Sequence, residues 1–467
     1  MLQTFLNIFR VPELRNKVLF TLGLLLIYRV GFHIPLPGIN QEMFAKAMEN
    51  QGDAASRIAD YVAIFSGGSL QQSTVFGLGV MPFISASIIF QLLTSVVPSL
   101  EKLKKEGQSG QRKIQEWTRY ATVPIAALQA FFWLSYVQSD PNNILPGFET
   151  SFWVLGMLGL TAGTIFLMWL GEQIDEYGLG NGISLLILAG IVAQMPAAIV
   201  TLTQSFSLDQ TDQSGIGPGT LVALLLCFVG VTMGAIAITQ AQRRIPIQQA
   251  KHTRGRKVYG GTKQALPLRV NHGGVMPIIF AQSLMLFPGA FFGWLNDYVN
   301  GTRVASERGM FGNVVNFLNA EFDPSAAGLL YVLTMVGMIF FFSYFWTTVQ
   351  FNPKEMANQL RDYGSFVPGL RPGKRTAEYL ERVMKRITFV GAAFLSAIAI
   401  IPTIVGATLN LSFQITAFLG GTGLLIVVSV ALDMVQRIEA NLLMRNFSGF
   451  LADDPKIRSK RIKGRQF

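Results

Sequence analysis

Branched aliphatic side chains at helical spacing are the residues of this sequence best suited to a physical task inside a membrane. Val80 and Ile84 are four residues apart, and so are Ile183 and Ile187; residues at this spacing lie on one face of a helix. Aliphatic side chains that converge from several helices can form a dry constriction, which excludes ions because water does not wet it. Alternatively, these side chains face lipid or pack against neighbouring helices, as aliphatic residues of membrane helices commonly do.

Residue types that support catalysis or metal binding are sparse and scattered. The histidines His33, His252 and His272 lack the spacing of metal ligands, and the single cysteine, Cys227, cannot form an intrachain disulfide. The segment Gly373–Thr376 lacks the spacing of a phosphate-binding loop. We therefore expect no bound metal, no cofactor and no enzymatic activity, including nucleotide hydrolysis.

The composition is that of a chain solvated mainly by lipid. Of its 467 residues, 50% are hydrophobic and only 14% are charged, whereas a soluble domain carries about 25% charged residues. A membrane helix needs about 20 mostly apolar residues. The sequence therefore predicts an all-α membrane protein with ten spans, at residues 18–34, 75–97, 121–137, 152–170, 183–202, 219–238, 273–295, 326–349, 387–405 and 415–432.

Lys and Arg residues are distributed unevenly among the segments that connect these spans. Counted from the N-terminus, alternate segments carry 33 of the 38 basic residues and the intervening segments carry 4, with Arg29 inside the first span. Basic residues concentrate on the cytoplasmic side of membrane proteins, so we expect both termini in the cytoplasm. A basic face also attracts anionic lipid head groups. Two long loops, about 241–271 and 350–386, favour docking of a large, partly anionic partner such as ribosomal RNA or a motor protein.

The spans divide into two groups of five, joined by a polar stretch near residue 205. Because each group crosses the membrane an odd number of times, the groups enter from opposite sides, and structural repeats would be related by an axis in the membrane plane. We predict an N-terminal half, residues 1–205, and a C-terminal half, residues 206–467, which contains both long loops and a basic tail. The span centres lack charged residues, which argues against a proton-driven transporter.

A short apolar segment, about residues 58–70, lies between the first two spans. It is too short to cross the membrane, and a glycine pair ends or bends it. It is either an interfacial helix outside the membrane or a re-entrant segment that blocks a cavity, since non-helical backbone at membrane depth occurs only inside protein or along water. The end of the segment comprises Ile64, Phe65, Ser66, Gly67 and Gly68.

Four long strings of the sequence are specific enough to indicate a family. They are residues 77–93 (GLGVMPFISASIIFQLL), 166–184 (FLMWLGEQIDEYGLGNGIS), 366–373 (FVPGLRPG) and 420–428 (GGTGLLIVV). Together they closely resemble the SecY family, the central subunit of the bacterial Sec translocon. The resemblance extends in order over essentially the whole chain, although the outer stretch 294–323 and the tail 448–467 show no matching motif.

The resemblance implies a clamshell of two inverted five-helix halves around an hourglass-shaped pore, which also opens sideways to lipid. The apolar segment 58–70 then corresponds to a short plug helix that closes the outer funnel. The resemblance also assigns a constriction, called the pore ring below. The pore ring comprises Val80, Ile84, Ile183, Ile187, Ile279 and Ile426.

Further residues acquire roles by the same resemblance. Gln91 would contribute a polar contact at the lateral gate, near the signal-sequence site, although a helix–helix hydrogen bond explains it equally well. Arg256 and Lys257 in the first long loop would contact the ribosome or the SecA ATPase. Arg371 in the second loop corresponds to a functionally important arginine, or it caps its own loop.

These observations predict a passive, gated conduit for unfolded, signal-sequence-bearing polypeptides in the bacterial plasma membrane, which also releases transmembrane segments into lipid. By the resemblance, SecA or the translating ribosome would drive it, and the small subunits SecE and SecG would flank the two halves. A secondary transporter for a small neutral or apolar solute is the alternative. Such a transporter needs a midplane pocket with polar ligands, which the spans do not provide.

Overall fold

The structure is a computed structural model of the whole chain. It describes residues 12–41, 43–44, 73–138, 143–147, 151–204, 217–249, 252–254, 257–259, 263–300, 310–322, 328–409 and 422–452. All structural statements below concern these residues.

Ten long helices overlap the ten predicted spans and confirm the helical membrane fold. They are α1 (Pro12–Gly31), α2 (Met81–Val96), α4 (Gln108–Gln138), α5 (Phe152–Tyr177), α6 (Gly182–Gln204), α7 (Pro218–Gln240), α8 (Met276–Asn300), α10 (Leu329–Gln350), α12 (Lys374–Thr408) and α13 (Thr422–Ala452). Three shorter helices lie between them: α3 (Pro98–Lys105), α9 (Met310–Glu321) and α11 (Pro353–Asp362). Within the described residues, α5, α6, α7, α10 and α12 are each long and apolar enough by themselves to cross a bilayer.

The second span ends in a sharp bend. α2 and α3 are inclined by 97° to each other, and Val97 between them is extended, with φ −91° and ψ 114°. Pro98 explains the bend, because a proline disfavours helical backbone in the residue before it and is well suited to begin a new helix. α3 therefore leaves the direction of α2 just after the membrane span.

The helix of the second span begins later than the apolar stretch that predicts it. Residues 75–80 form turns, and α2 starts only at Met81. Gly79 has a φ of +55°, which glycine adopts readily and which a continuing helix would not allow. Before these turns, the Leu36 amide donates to the Ser73 carbonyl at 2.9 Å and the Val75 amide donates to the Ile34 carbonyl at 3.1 Å.

Nine of the long helices meet in one hydrophobic cluster, which we call the central cluster. All except α4 contribute buried apolar side chains to it. α4 packs against α2 and α5 and contributes instead to a second cluster, which includes Leu134 and Val137 of α4 and Phe152 of α5. The centre of the bundle is therefore a continuous apolar core.

The two long loops between spans join in a single folded unit, the loop module. Strands β1 (Gln242–Gln249), β4 (Lys263–Arg269) and β5 (Ser365–Phe366) form an antiparallel sheet in the order β4-β1-β5. Ile245 is the register partner of Leu266, and Gln248 is the partner of Phe366. One apolar core joins the sheet to α12 through buried residues that include Ile245, Leu268, Leu380 and Met384. The sequence predicted two separate docking loops, whereas the structure pairs them through β1.

The turn between α5 and α6 depends on a close approach of two glycines. A Cβ atom at Gly182 would overlap the carbonyl oxygen of Gly171, and a Cβ at Gly171 would lie 2.6 Å from Cδ1 of Ile183. Glycine at both positions lets the two helix backbones approach closely, as small residues do in membrane helix pairs.

We expect Gly182→Ala to lower the free energy of unfolding by about 1–3 kcal/mol, the usual effect of overpacking. Gly230→Ala in α7 is the matched control, because a Cβ there meets open space. The control should show no loss of stability, since alanine is the better helix former. Thermal unfolding of both variants in one detergent measures the difference, and equal unfolding temperatures would contradict the packing explanation.

Candidate functional site

Five of the six pore-ring residues belong to the central cluster, and Ile183 packs against it. The six residues come from four helices: Val80 and Ile84 from α2 and the residue before it, Ile183 and Ile187 from α6, Ile279 from α8 and Ile426 from α13. Five of the six are at most 5% exposed, and Ile183 is half-buried and packs against the cluster. Water therefore has little access to these side chains.

Glycines and a turn fix the position of Val80. Val80 is the N-terminal cap of α2, with φ −91° and ψ 3°, and it follows the left-handed Gly79. A Cβ at Gly163 of α5 would overlap the Val75 carbonyl oxygen, so the turn before Val80 lies directly against α5. Phe76 stacks on Phe166 of α5 with ring centroids 5.7 Å apart. The backbone before α2 is thus held in place by α5.

Side-chain hydrogen bonds begin α6 and so position Ile183 and Ile187. The Gly182 amide donates to Oδ1 of Asp175 at 2.7 Å, and the Ser184 amide donates to Oδ1 of Asn181 at 3.0 Å. These carboxylate and amide oxygens satisfy N–H groups that have no partner within the helix.

A cavity of about 250 Å³ lies beside the first turns of α6 and α8, and both apolar and polar residues line it, including the charged Arg269 and Asp433. Ser184 follows Ile183 directly, and Ser429 lies about one turn beyond Ile426. This cavity was not predicted from the sequence, although polar residues next to the pore-ring positions could have indicated it. The polar residues that line it include Asn181, Ser184, Thr239, Asn271, Gln350 and Ser429.

Uncharged hydrogen bonds organise one wall of this cavity. With its amide oriented to satisfy both atoms, Gln350 donates to the His272 carbonyl at 3.1 Å and accepts from Nε1 of Trp346 at 2.7 Å. Burial lowers the pKa of His272 below its ordinary value, so its imidazole is neutral at pH 7. Nδ2 of the Asn271 side chain donates to the Gly274 carbonyl at 2.7 Å, which joins two points of the chain just before α8.

Gln91 of α2 is half-buried and incompletely hydrogen-bonded. Its Nε2 donates to Oγ of Ser87 at 3.1 Å, one turn earlier in the same helix. Its Oε1 is buried and has no hydrogen-bond partner. The hydrogen bond of Gln91 is therefore within α2, and the helix–helix bond considered as an alternative is not found among the described residues.

The docking residues lie in or beside the loop module. Lys257 begins strand β3 (Lys257–Tyr259), which pairs with β2 (His252–Arg254), and its register partner is Arg254. Arg256 and the plug residues 64–68 lie outside the described residues. The Arg371 side chain is exposed, while its carbonyl accepts from Oγ1 of Thr376 at 2.9 Å. The backbone carbonyl of Arg371 therefore caps this loop, and its guanidinium group is exposed on the surface.

A bundle of membrane helices around a buried apolar core defines a polytopic membrane protein, a class that includes channels and transporters. Comparisons with known proteins narrow this class. The SecY family model matches residues 74–435, and on this match the chain belongs to the SecY family.

Individual relatives agree over nearly the full length. The protein translocase subunit SecY of Thermotoga maritima is 40% identical over 467 residues, which cover 99% of this chain and 100% of that protein. The Haemophilus influenzae protein of the same name is 38% identical and covers 94% of both chains. A solved protein-conducting channel has a TM-score of 0.59 at 18% identity and covers 91% of this chain and 92% of that one. Sec61 in the canine ribosome–channel complex from the endoplasmic reticulum has a TM-score of 0.57 at the same identity and coverage.

We expect Gln91→Leu to raise the unfolding temperature, because it removes a buried acceptor without a partner, a group that costs about 1–3 kcal/mol. Gln115→Leu on the exposed surface of α4 is the control and should change stability little. Thermal unfolding in detergent measures both variants. A lower unfolding temperature for Gln91→Leu than for the control would mean that the Gln91 oxygen has a stabilising partner.

Proposed function

We propose that the chain is the protein-conducting subunit of a bacterial translocon, which passes unfolded, signal-sequence-bearing polypeptides and releases transmembrane segments sideways into lipid. The observation that carries this proposal is the burial of the pore-ring residues in the central cluster, to which nine helices contribute. Membership of the SecY family and the names of its relatives, protein translocase subunits, support it.

The chemistry of the pore ring suits a closed pore for polypeptides. A constriction of aliphatic side chains excludes ions by dewetting. Such side chains offer no hydrogen bonds that would hold a passing polypeptide, and they can repack around side chains of different size. The plug segment, about residues 58–70, would add a second closure on the side away from the loop module.

A signal sequence would open the channel by occupying the lateral gate, which we place between α2 and α4 on one side and α8 and α10 on the other. α2 and α8 contact each other over a short stretch only, so an apolar segment could separate them with few losses. Gln91 lies on α2, where its unpaired Oε1 is available to a polar group of the incoming segment. Binding at this gate would shift an equilibrium between closed and open states.

The direction and energy of transport would come from partners. Both termini and the loop module would lie in the cytoplasm, because the basic residues concentrate there. SecA or the translating ribosome would dock on the loop module, where Arg371 is exposed and Arg254 and Lys257 are register partners. The canine Sec61 relative is part of a ribosome–channel complex, which supports the ribosome as one partner. SecE and SecG would flank the N-terminal half, residues 1–205, and the C-terminal half, residues 206–467.

Crosslinking to a stalled secretory chain tests the pathway directly. In a Cys227→Ser background, we expect a cysteine at Phe65 or at Ile187 to form disulfides with a cysteine in the stalled chain, because both lie on the proposed path. A cysteine at Ile199, half exposed on α6, is the control and should not crosslink. Absence of crosslinks at Phe65 and Ile187 despite an engaged signal sequence would overturn the pore assignment and favour the transporter.

We expect Ile187→Ser to increase the ion conductance of the resting channel, because it introduces a hydroxyl into the dry pore ring. Ile199→Ser makes the same change in the same helix at a side chain that is 50% exposed. Planar-bilayer recordings of both variants measure the leak. If the two variants conduct equally, the pore ring is not the seal.

A further inference from the structure

Helix α9, in the outer stretch without a matching motif, has three distinct faces. At 100° per residue, Gly312 and Val315 point toward the protein and are buried. Asn313 and Asn316 occupy an exposed polar face. Between them lies an exposed apolar stripe whose residues recur at helical spacing. The stripe comprises Met310 (87% exposed), Phe311 (64%), Val314 (50%) and Phe317 (58%).

The contacts at the end of α9 place it at the membrane boundary away from the loop module. Oε2 of Glu321 accepts from the Leu330 amide at 3.1 Å, which joins the end of α9 to the first turn of α10. Phe322, directly after α9, stacks on Phe292 of α8 with ring centroids 5.1 Å apart. Leu330 lies at the end of α10 opposite the loop module, and Phe292 lies in the half of α8 away from the loop module, because β4 precedes α8 and α11 follows α10.

The length of α9 fits the surface of a membrane and not its interior. Its 12 residues span about 18 Å at 1.5 Å per residue, whereas the hydrocarbon core is about 30 Å thick. A short helix with one apolar and one polar face, located at the level where two spans end, has the geometry of an interfacial helix.

We propose that α9 is an interfacial anchor, whose apolar stripe inserts into the outer leaflet of the bilayer next to α8 and α10. The stripe supplies two phenylalanines, and aromatic residues are common at membrane boundaries. Phe291 of α8 is also exposed, at 54%. It is next to Phe292, which stacks on Phe322 at the end of α9, so the apolar surface continues from the span to the anchor. This inference requires that α8 and α10 cross the membrane with the loop module on the cytoplasmic side, not that the chain conducts polypeptides.

The charge of α9 indicates which lipids it would contact. Residues 310–320 contain no charged side chain, and Glu321 is engaged by the Leu330 amide. Interfacial helices that bind anionic lipid carry Lys or Arg on the polar face, but α9 has asparagines there. The anchor should therefore insert equally into zwitterionic and anionic bilayers, and salt should not release it.

Environment-sensitive labels test the insertion. In a Cys227→Ser background, the full-length chain with its partner subunits is placed in phosphatidylcholine nanodiscs, with or without phosphatidylglycerol. A single cysteine at Phe317 is labelled with a nitrobenzoxadiazole probe, and a cysteine at Asn316 serves as the neighbour on the polar face. We expect the label at Phe317 to shift its emission to shorter wavelength and to be quenched by brominated lipids, whereas the label at Asn316 is quenched by aqueous iodide.

The second pair, Val314→Cys and Asn313→Cys, gives an independent test if the first pair does not assemble. Equal quenching by iodide on the two faces of α9 would overturn the proposal. Protection at Phe317 that appears only when a secretory chain or another protein is added would also overturn it, in favour of a protein-docking face. Crosslinking along the pore is a separate measurement, so failure of the anchor leaves the channel assignment intact.

Discussion

The central cluster of aliphatic side chains is surrounded by lipid tails that are as apolar as leucine, so burial between helices gains little hydrophobic free energy. What holds nine helices together is the number and closeness of van der Waals contacts, each worth about 0.1–0.2 kcal/mol. Such contacts require complementary shapes, which explains why buried branched side chains such as Ile187, Ile279 and Ile426 fill the middle of the bundle. The same residues form the proposed pore ring, so in that proposal the side chains that pack the core would also form the seal.

Close packing at the centre depends on local backbone geometry at its edges. Gly171 and Gly182 let α5 and α6 approach, and Asp175 and Asn181 satisfy the first amides of α6. Before α2, the left-handed Gly79 ends the preceding turn, so that the helix starts immediately after Val80. Polar and glycine residues outside the apolar core thus determine the orientation of its aliphatic side chains. This explains why the short motifs at these turns contain those residue types.

The spans could be predicted from the sequence because apolar length and charge asymmetry are local properties of the chain. The candidates for the pore ring come in part from the spacing of Val80 and Ile84 and in part only from the family resemblance, as for Ile426, and their role in a pore stays a prediction. The pairing of the two long loops through β1 could not be predicted, since β5 is only two residues long and its partner is more than a hundred residues away. The position of α9 could not be predicted either, because it depends on the contact of Phe322 with Phe292 of α8, a tertiary contact that no local sequence pattern indicates.

A seal made of non-directional contacts can be both tight and easy to open. In the proposed opening, separating α2 from α8 breaks apolar contacts of the central cluster, and an apolar signal helix inserted at that seam would replace most of them. A seam of buried salt bridges would instead leave unpaired charges during opening, at several kcal/mol each. The unpaired Oε1 of Gln91 raises the free energy of the closed state further. The chemistry of this seam therefore predicts that one bound segment is enough to shift the equilibrium between closed and open states. In this proposal, span centres without charged side chains are required for gating as well as for solubility in lipid.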